Sequence, residues 1–353
     1  MNKPRFIMVG PDMNGRGGVS QVVRIWRDAG FFDGFRVAYV SSASDTSRFK
    51  MLTLLKGLIR LLFALPGGGS LVYVHSSAYK SFYRKSLFVL LAVLFRKKIL
   101  LHIHPSGFSN FQDELSGIAR RYVDFVLGKV DTFVLLTEGM LRHIGKRFPG
   151  KPSYVLRNAV DLRKFPKGEA TGRGNPDILY LGWFIRAKGV YELVDAVGIL
   201  LEKGRRVRLD FYGTKEAEAL RSYVKKKCLD GPVMVNGWID DEEKVRMLHA
   251  ATMLVLPSHT EGIPNVILEA MATGTPIIAT FVGGMREILR DGENSVISKA
   301  EDPVDLAEKI SFLLDQAEQR NRMAGTAYRE VLDKYDVQVI RGQFRRILKE
   351  ATG

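Results

Sequence analysis

The feature that most constrains the fold is a regular alternation of short β-branched apolar runs with longer amphipathic stretches. This alternation predicts six strands in the first half, near residues 5–9, 36–40, 71–75, 98–103, 131–136 and 153–156. It predicts six more in the second half, near 177–181, 207–212, 232–236, 252–256, 276–279 and 295–297. Strands that alternate with helices form parallel sheets covered by helices on both faces. We therefore predict an α/β protein.

The two blocks of alternation are separated by a polar segment, Pro166–Pro176, that has the glycine and proline content of a linker. The length of 353 residues fits two domains. We predict two Rossmann-like domains, residues 1–165 and 166–336, that face a central cleft. A C-terminal helix within 337–353 is expected to cross back to the N-terminal domain. Ligands of such sheets bind outside the carboxyl ends of the strands.

The net basic excess of the chain lies entirely in its first half. Residues 1–165 contain 26 Lys and Arg against 10 Asp and Glu, and the whole chain has a net charge of +15. A one-sided basic field indicates an anionic partner, such as membrane lipid, nucleic acid or a charged substrate. No nucleic-acid-binding module is recognisable, so we expect no nucleic-acid partner.

One apolar segment of the first half, Met51–Leu65, carries Lys56 and Arg60 on one helical face. This pattern is typical of helices that lie on anionic membranes, and also of helices packed against a sheet. The apolar run Ser86–Phe95 is about half of the roughly 20 residues that cross a bilayer, and we predict a buried helix there.

Export is not predicted. The first strand begins at about Arg5, which leaves no room for a signal peptide. The single cysteine, Cys228, fits a reducing compartment. We expect a cytoplasmic protein that binds peripherally to the inner face of the cell membrane.

Two candidate motifs lie in the first half. Gly15, Gly17 and Gly18 follow the first strand and precede a helix, where glycine lets a phosphate approach the N–H groups of the helix start. A plain tight turn is the alternative. His102 and His104 lie two apart near the end of the fourth strand and so share one face. Because no acidic or cysteine cluster accompanies them, we predict no metal site and no cofactor.

Two further motifs lie in the second half. Arg186 and Lys188 fall in the turn after the first strand of this block, where cations can hold a diphosphate. Glu261 follows the strand near 252–256, and Glu269 lies in the next helix among apolar residues. A buried carboxylate is costly without a partner, which the hydroxyl groups of a sugar would supply. Solvated turn charges and an exposed helical glutamate are the alternatives.

The stretch EGIPNVILEAMATGTPIIAT, residues 261–280, resembles the signature of the family 4 retaining glycosyltransferases. Other stretches agree in order: GRGGVSQVV, LHIHPSG, RNAVDLRKF, GWFIRAKGV, VNGWIDDEEKVRMLHAA and VGGMREIL. The resemblance implies the GT-B fold of two Rossmann-like domains. It also implies metal-independent transfer of a sugar from a nucleoside diphosphate to a hydroxyl group, with retention of the anomeric configuration. We expect a saccharide or lipid-linked saccharide acceptor, in cell-surface polysaccharide synthesis.

The resemblance assigns roles by position. Glu269 would bind the ribose hydroxyl groups and Glu261 the donor sugar. Lys188 would hold the diphosphate, and His104 would lie beside the reacting sugar. The other donor contacts would come from nine positions: Gly17, Gly18, Gly237, Trp238, Gly262, Ile263, Pro264, Asn265 and Val266.

The chain departs from the family pattern at three positions. Trp183 stands where the family has an arginine, Arg286 where it has a proline, and Ser295 where it has a glycine. Arg186 is the candidate to replace the missing arginine. The alternatives are a catalytically idle binding protein with the same fold and a basic nucleic-acid-binding protein. A Rossmann oxidoreductase is disfavoured because the G-x-G-x-x-G motif with a later acidic residue is missing.

Overall fold

The computed structural model describes residues 4–15, 17–43, 50–66, 71–104, 107–168 and 177–352. The chain divides into two compact units, Met1–Ala159 with Val337–Gly353, and Val160–Asp336. Residues 160–165, assigned to the first domain from the sequence, group with the second unit. The reason is local contact, since the Val160 N–H donates to the Tyr335 carbonyl at 3.0 Å and Lys244 Nζ lies 5.2 Å from the Phe165 ring centre.

The described residues form strands and helices that alternate along the chain. The strands are β1 (Arg5–Gly10), β2 (Arg36–Ser41), β3 (Leu71–Ser76), β4 (Lys98–Ile103), β5 (Thr132–Leu135), β6 (Ser153–Val155), β7 (Ile178–Phe184), β8 (Leu209–Lys215), β9 (Val233–Asn236), β10 (Met253–Leu256), β11 (Ile277–Thr280) and β12 (Val296–Ser298). The helices are α1 (Gly18–Asp28), α2 (Lys50–Ala64), α3 (Lys80–Leu94), α4 (Phe108–Glu114), α5 (Gly117–Gly128), α6 (Glu138–Arg147), α7 (Val190–Glu202), α8 (Ala217–Lys226), α9 (Asp241–Ala250), α10 (Asn265–Thr273), α11 (Pro303–Asp315), α12 (Ala317–Lys334) and α13 (Val337–Thr352). Two 3-10 turns, Arg186–Lys188 and Gly283–Glu287, complete the second unit.

Each unit is built on one parallel six-stranded sheet. The strand orders are β2-β1-β3-β4-β5-β6 and β12-β11-β10-β7-β8-β9. The prediction of an α/β protein with two parallel sheets is therefore confirmed, and every predicted strand is present. Strand order reverses between β1 and β3 in the first sheet and between β7 and β10 in the second. These two switch points are where sheets of this kind bind ligands.

The sheet of the first unit has a hydrophobic core on each face. On one face lie α2, α3 and α5, and α3 buries Phe88 and Ala92, which confirms the prediction of a buried helix there. On the other face lie α1 and α13, where the Phe344 ring centre is 4.9 Å from that of Trp26. Arg341 adds a hydrogen bond from its guanidinium to the Ala29 carbonyl at 3.2 Å. Within the described ranges, no helix is long and apolar enough to span a bilayer.

Candidate functional site

The carboxyl ends of β7 and β10 lie side by side at the switch point of the second sheet. The 3-10 turn Arg186–Lys188 follows β7, and Ser258 and Glu261 follow β10. Parallel strands thus bring together residues that are about 70 positions apart in the sequence.

Lys188 and Glu261 form an ion pair at this point. Lys188 Nζ lies 2.5 Å from Glu261 Oε1, and the two side chains are 22% and 10% exposed. The Ser258 hydroxyl donates to the same carboxylate oxygen at 2.9 Å. A lysine ammonium has three N–H donors, so Lys188 can hold Glu261 and still bind a phosphate oxygen. The structure therefore places a fixed cation and a fixed carboxylate together.

Two glycines let the loops around this pair approach each other closely. Gly189 has a φ of +67°, and a Cβ there would lie 2.1 Å from the Pro257 carbonyl oxygen. Gly283 has a φ of +52°, and a Cβ would lie 1.9 Å from the Glu261 carbonyl oxygen. Both positions combine a left-handed backbone with a backbone contact that no side chain tolerates. The position of Lys188 and Glu261 thus depends on glycine next to each of them in space.

The start of α10 lies directly after Glu261. Pro264 occupies the N-cap position, and no side chain caps the first turn. The N–H groups at the start of a helix and its dipole attract anions. Gly262, Ile263 and Asn265 are buried, whereas Val266 is half-buried. The segment predicted to supply backbone amides to a donor is therefore an uncapped helix start beside the Lys188–Glu261 pair.

Glu269 lies one helical turn further along α10 and is only 2% exposed. Its Oε1 accepts a hydrogen bond from Lys244 Nζ of α9 at 3.1 Å, and Asp241 lies at the same distance from this amine. Burial alone would lower the pKa of Lys244, but the carboxylates of Glu269 and Asp241 raise it above its ordinary value. The charge partner of Glu269 within the chain is thus Lys244, which the sequence analysis missed.

Arg186 lies in different surroundings from Lys188, although the two share one turn. Arg186 is exposed and lines a surface pocket with Tyr191, Glu192 and Asp195. The structure therefore shows no contact that joins Arg186 to the Lys188–Glu261 pair among the described residues.

The position of the missing family arginine, Trp183, has a cation beside it. Lys215 Nζ at the end of β8 lies 4.9 Å from the Trp183 ring centre, within the range of a cation–π interaction. Lys215 also has a φ of +93°, which is strained for a lysine.

On the neighbouring strand end, Gly237 and Trp238 follow β9. The Gly237 carbonyl accepts from the Gly213 N–H at 3.1 Å, and Trp238 is 42% exposed.

The other two departures from the family pattern have local partners. Arg286 donates from Nε to the Phe281 carbonyl at 2.8 Å. The buried Ser295 hydroxyl donates to the Arg290 carbonyl at 3.3 Å. Both side chains are thus accommodated within the second unit.

The glycine turn of the first unit leaves open space at the start of α1. Gly17 is the N-cap residue, with an extended φ of −87°. A Cβ added to Gly18 would meet no described heavy atom within 4 Å. The packing of the described residues therefore does not require glycine at position 18, and the space there suits the approach of a ligand.

His104 lies at the end of β4 and belongs to a buried cluster of three histidines. His75 Nδ1 on β3 lies 2.8 Å from His104 Nε2, and His75 is the register partner of His102. Burial, with a contribution from Lys85, lowers the pKa of His104 to about 3. The sequence analysis took His102 and His104 as an unaccompanied pair and missed His75. The position of His75 at the end of the neighbouring strand β3 could have predicted that it lies beside the other two histidines.

The amino-acid sequence of the chain is similar to that of known proteins. Residues 163–330 match the family "Glycosyl transferases group 1". Over 261 residues the chain is 27% identical to glycogen synthase from Mycobacterium tuberculosis, and the match covers 71% of this chain. It covers 63% of that relative, so the chain spans just under two thirds of the relative's length.

Two solved structures share the fold over nearly the whole chain. Sucrose-phosphate synthase from Thermosynechococcus elongatus superposes with a TM-score of 0.82 and 18% identity, covering 99% of both chains. HepE from Anabaena in complex with UDP-glucose superposes with a TM-score of 0.79 and 15% identity, covering 98% of this chain and 99% of HepE. The chain therefore has the GT-B fold of the glycosyltransferases that it resembles, and its second unit contains the group 1 glycosyl transferase region.

Proposed function

We propose that this chain is a retaining glycosyltransferase that moves a sugar from a nucleoside diphosphate to an acceptor hydroxyl group. The observation that carries the proposal is the Lys188–Glu261 pair beside the uncapped start of α10, at the switch point of the second sheet. In this arrangement the cation and the helix N–H groups can bind an anion, and the carboxylate can bind hydroxyl groups. A nucleoside diphosphate sugar carries an anionic diphosphate and sugar hydroxyl groups.

The proposed reaction breaks the bond between the anomeric carbon and the diphosphate oxygen and forms a bond to the acceptor oxygen on the same face. The acceptor proton passes to the leaving diphosphate. Negative charge on the diphosphate grows as the bond breaks, so Lys188 and the α10 start stabilise the transition state more than the bound donor. Positioned groups of this kind replace a metal ion.

The two glutamates hold the donor and do not act as an acid–base pair. Glu261 already accepts hydrogen bonds from Lys188 and Ser258 through Oε1, so it is positioned to accept hydrogen bonds from sugar hydroxyl groups. Glu269 takes the ribose hydroxyl groups while Lys244 balances its charge. The UDP-glucose complex of HepE makes UDP-sugars the first donors to test.

The acceptor is proposed to be a saccharide linked to a membrane lipid and bound by the first unit. The support is α2, whose outer face combines the exposed cations Lys56 and Arg60 with exposed apolar side chains: Met51, Leu52, Leu55, Ile59, Leu62 and Phe63. Met51 and Phe63 are 77% and 80% exposed. Apolar groups flanked by basic ones bind the interface of anionic membranes. The proposed site of action is the cytoplasmic face of the membrane, and the proposed role is in cell-surface polysaccharide synthesis.

Thermal unfolding with a panel of nucleoside diphosphates and their sugars tests donor binding. A ligand at 100 times its Kd stabilises the protein by about 2.7 kcal/mol, which raises the Tm by about 5–10 °C for a unit of this size. Lys188→Ala should abolish this rise, whereas Lys203→Ala, an exposed lysine at the end of α7, should retain it. A panel without any responder, or an unchanged response in Lys188→Ala, would contradict the proposal.

Co-sedimentation with lipid vesicles tests the membrane proposal separately. The chain should bind vesicles of anionic lipid at low salt and lose binding as salt is raised, because the basic groups are screened. The double variant Met51→Ser/Phe63→Ser should bind more weakly. Val304→Ser, which changes a 52% exposed apolar residue on α11, should bind as the unaltered chain does. Equal binding to neutral and anionic vesicles would refute the charge argument.

A further inference from the structure

The first unit contains three histidines that converge at the ends of β3 and β4. His75 and His102 are register partners on these strands, and His104 follows β4. All three are buried, at 0%, 1% and 6% exposure. One nitrogen atom of each ring lies within 4.8 Å of the corresponding atoms of the other two. His75, His102 and His104 are named the histidine cluster below.

Two buried nitrogen atoms of the histidine cluster lack a hydrogen-bond partner within the described part of the chain. They are Nε2 of His75 and Nε2 of His102. A buried polar atom without a hydrogen-bond partner destabilises the folded chain. A ligand that accepts these lone pairs would remove the cost.

Tyr73 orients one of the rings. Its hydroxyl lies 3.0 Å from His102 Nδ1, which leaves Nε2 on the opposite side of that ring for another ligand. Histidines that bind metals in proteins use the same arrangement, in which the second ring nitrogen is held by a hydrogen bond.

We propose that the histidine cluster binds a transition metal ion of the Zn²⁺ type. Imidazole ligands suit Zn²⁺, Cu²⁺ and Ni²⁺, whereas Mg²⁺ and Ca²⁺ require oxygen ligands, and the cluster contains no carboxylate. Zinc–nitrogen bonds of about 2.0–2.1 Å place tetrahedral ligand atoms about 3.3 Å apart. His75 Nδ1 and His104 Nε2, which lie 2.8 Å apart, are about 0.5 Å closer than this, so binding requires these two rings to move apart by about that amount, or His75 to present its Nε2 instead. Three protein ligands leave a fourth position for water.

The histidine cluster lies in the first unit, and one of its members, His104, is also the residue expected beside the reacting sugar. Metal binding is measured without a sugar donor, so it can be tested whether or not the chain transfers sugars.

Titration of the full chain with Co²⁺, followed by absorption, and Zn²⁺ content after dialysis test the proposal. One equivalent of Zn²⁺ should be retained, and Co²⁺ should give the intense visible bands of four-coordinate geometry. His75→Phe and His102→Phe keep an aromatic ring of similar size and should weaken Zn²⁺ binding by about 100-fold or more. His249→Gln, which alters a half-buried histidine of the second unit, should bind Zn²⁺ normally.

Tyr73→Phe keeps all three histidines and provides a second test of Zn²⁺ binding if a histidine variant fails to fold. It should weaken Zn²⁺ binding by about 10–100-fold. Zn²⁺ should also raise the Tm of the unaltered chain and leave the Tm of folded His102→Phe unchanged. The proposal would be overturned by a chain that retains no Zn²⁺ after dialysis. Binding by folded His102→Phe that equals that of the unaltered chain would overturn it as well.

Discussion

Replacing Lys244 by methionine measures how much the ion pair with the buried carboxylate of Glu269 contributes to the stability of the second unit. The change leaves the carboxylate of Glu269, which is 2% exposed, without the amine that lies 3.1 Å away. At an effective dielectric constant of 20 this attraction is about 5 kcal/mol, and removing one partner of a buried pair costs about 3–5 kcal/mol. Lys244 also contacts Asp241, which remains solvated at 49% exposure and adds little. We expect Lys244→Met to lower the free energy of unfolding by about 3 kcal/mol at pH 7.

Urea unfolding of four chains tests this value. The second variant, Glu269→Leu, leaves Lys244 without its buried partner, and the double variant Lys244→Met/Glu269→Leu removes both charges. The double variant should be clearly more stable than the sum of the single losses predicts, because no unpaired charge remains.

The pH dependence provides a further check. In Lys244→Met the carboxyl of Glu269 can escape its penalty by taking a proton, so the loss of stability should shrink from pH 7 to pH 5. A single-variant loss below about 0.5 kcal/mol would refute the reasoning. Losses that simply add in the double variant would refute it too.

Two more predictions concern stability. Gly189→Ala places a Cβ at 2.1 Å from the Pro257 carbonyl oxygen and should lower the free energy of unfolding by more than about 2 kcal/mol in the same urea assay. The control Gly204→Ala lies at a φ of +77° with no atom near the added Cβ, and should lower it by about 1 kcal/mol. Burial alone would raise the pKa of Glu330, but hydrogen bonds from Arg290, Lys334 and Asn294 lower it from 4.5 to about 2. The stability from this group is therefore complete above pH 4.5 and lost as the pH falls to about 2. Glu330→Gln should lower the free energy of unfolding by about 2–3 kcal/mol at pH 7 and should reduce its further fall at acid pH. The control Glu318→Gln, which changes an exposed residue on α12, should have neither effect. Equal dependence of stability on pH in the two variants would contradict this role of Glu330.

The strands could be predicted from the sequence because each carries a local signal. In parallel sheets both faces are buried, so β3 reads as the continuous apolar run LVYV and β10 as MLVL. The boundary of the units was harder to predict. Residues 160–165 join the second unit through contacts with Tyr335 and Lys244, far along the chain, which no local pattern shows.

The candidate site was predicted in part. Lys188 and Glu261 stand at the ends of strands, so topology alone predicts that they meet. Lys244 was missed because its pairing with Glu269 depends on how α9 packs against α10, and spacing within either helix does not specify this. Arg186 and Lys188 were treated as equivalent cations, yet one faces a surface pocket and the other Glu261. Two residues of one tight turn can point in different directions, and the sequence does not distinguish them.

In the proposed function, the second unit holds the diphosphate of a sugar donor at Lys188 and the start of α10. Hydrogen–deuterium exchange of the full chain, with and without a saturating nucleoside diphosphate that raises its Tm, reports on both segments at once. We expect slower exchange at residues 186–190 and 261–268 and loss of this protection in Lys188→Ala. Protection that is absent from both segments, or unchanged in Lys188→Ala, would contradict it.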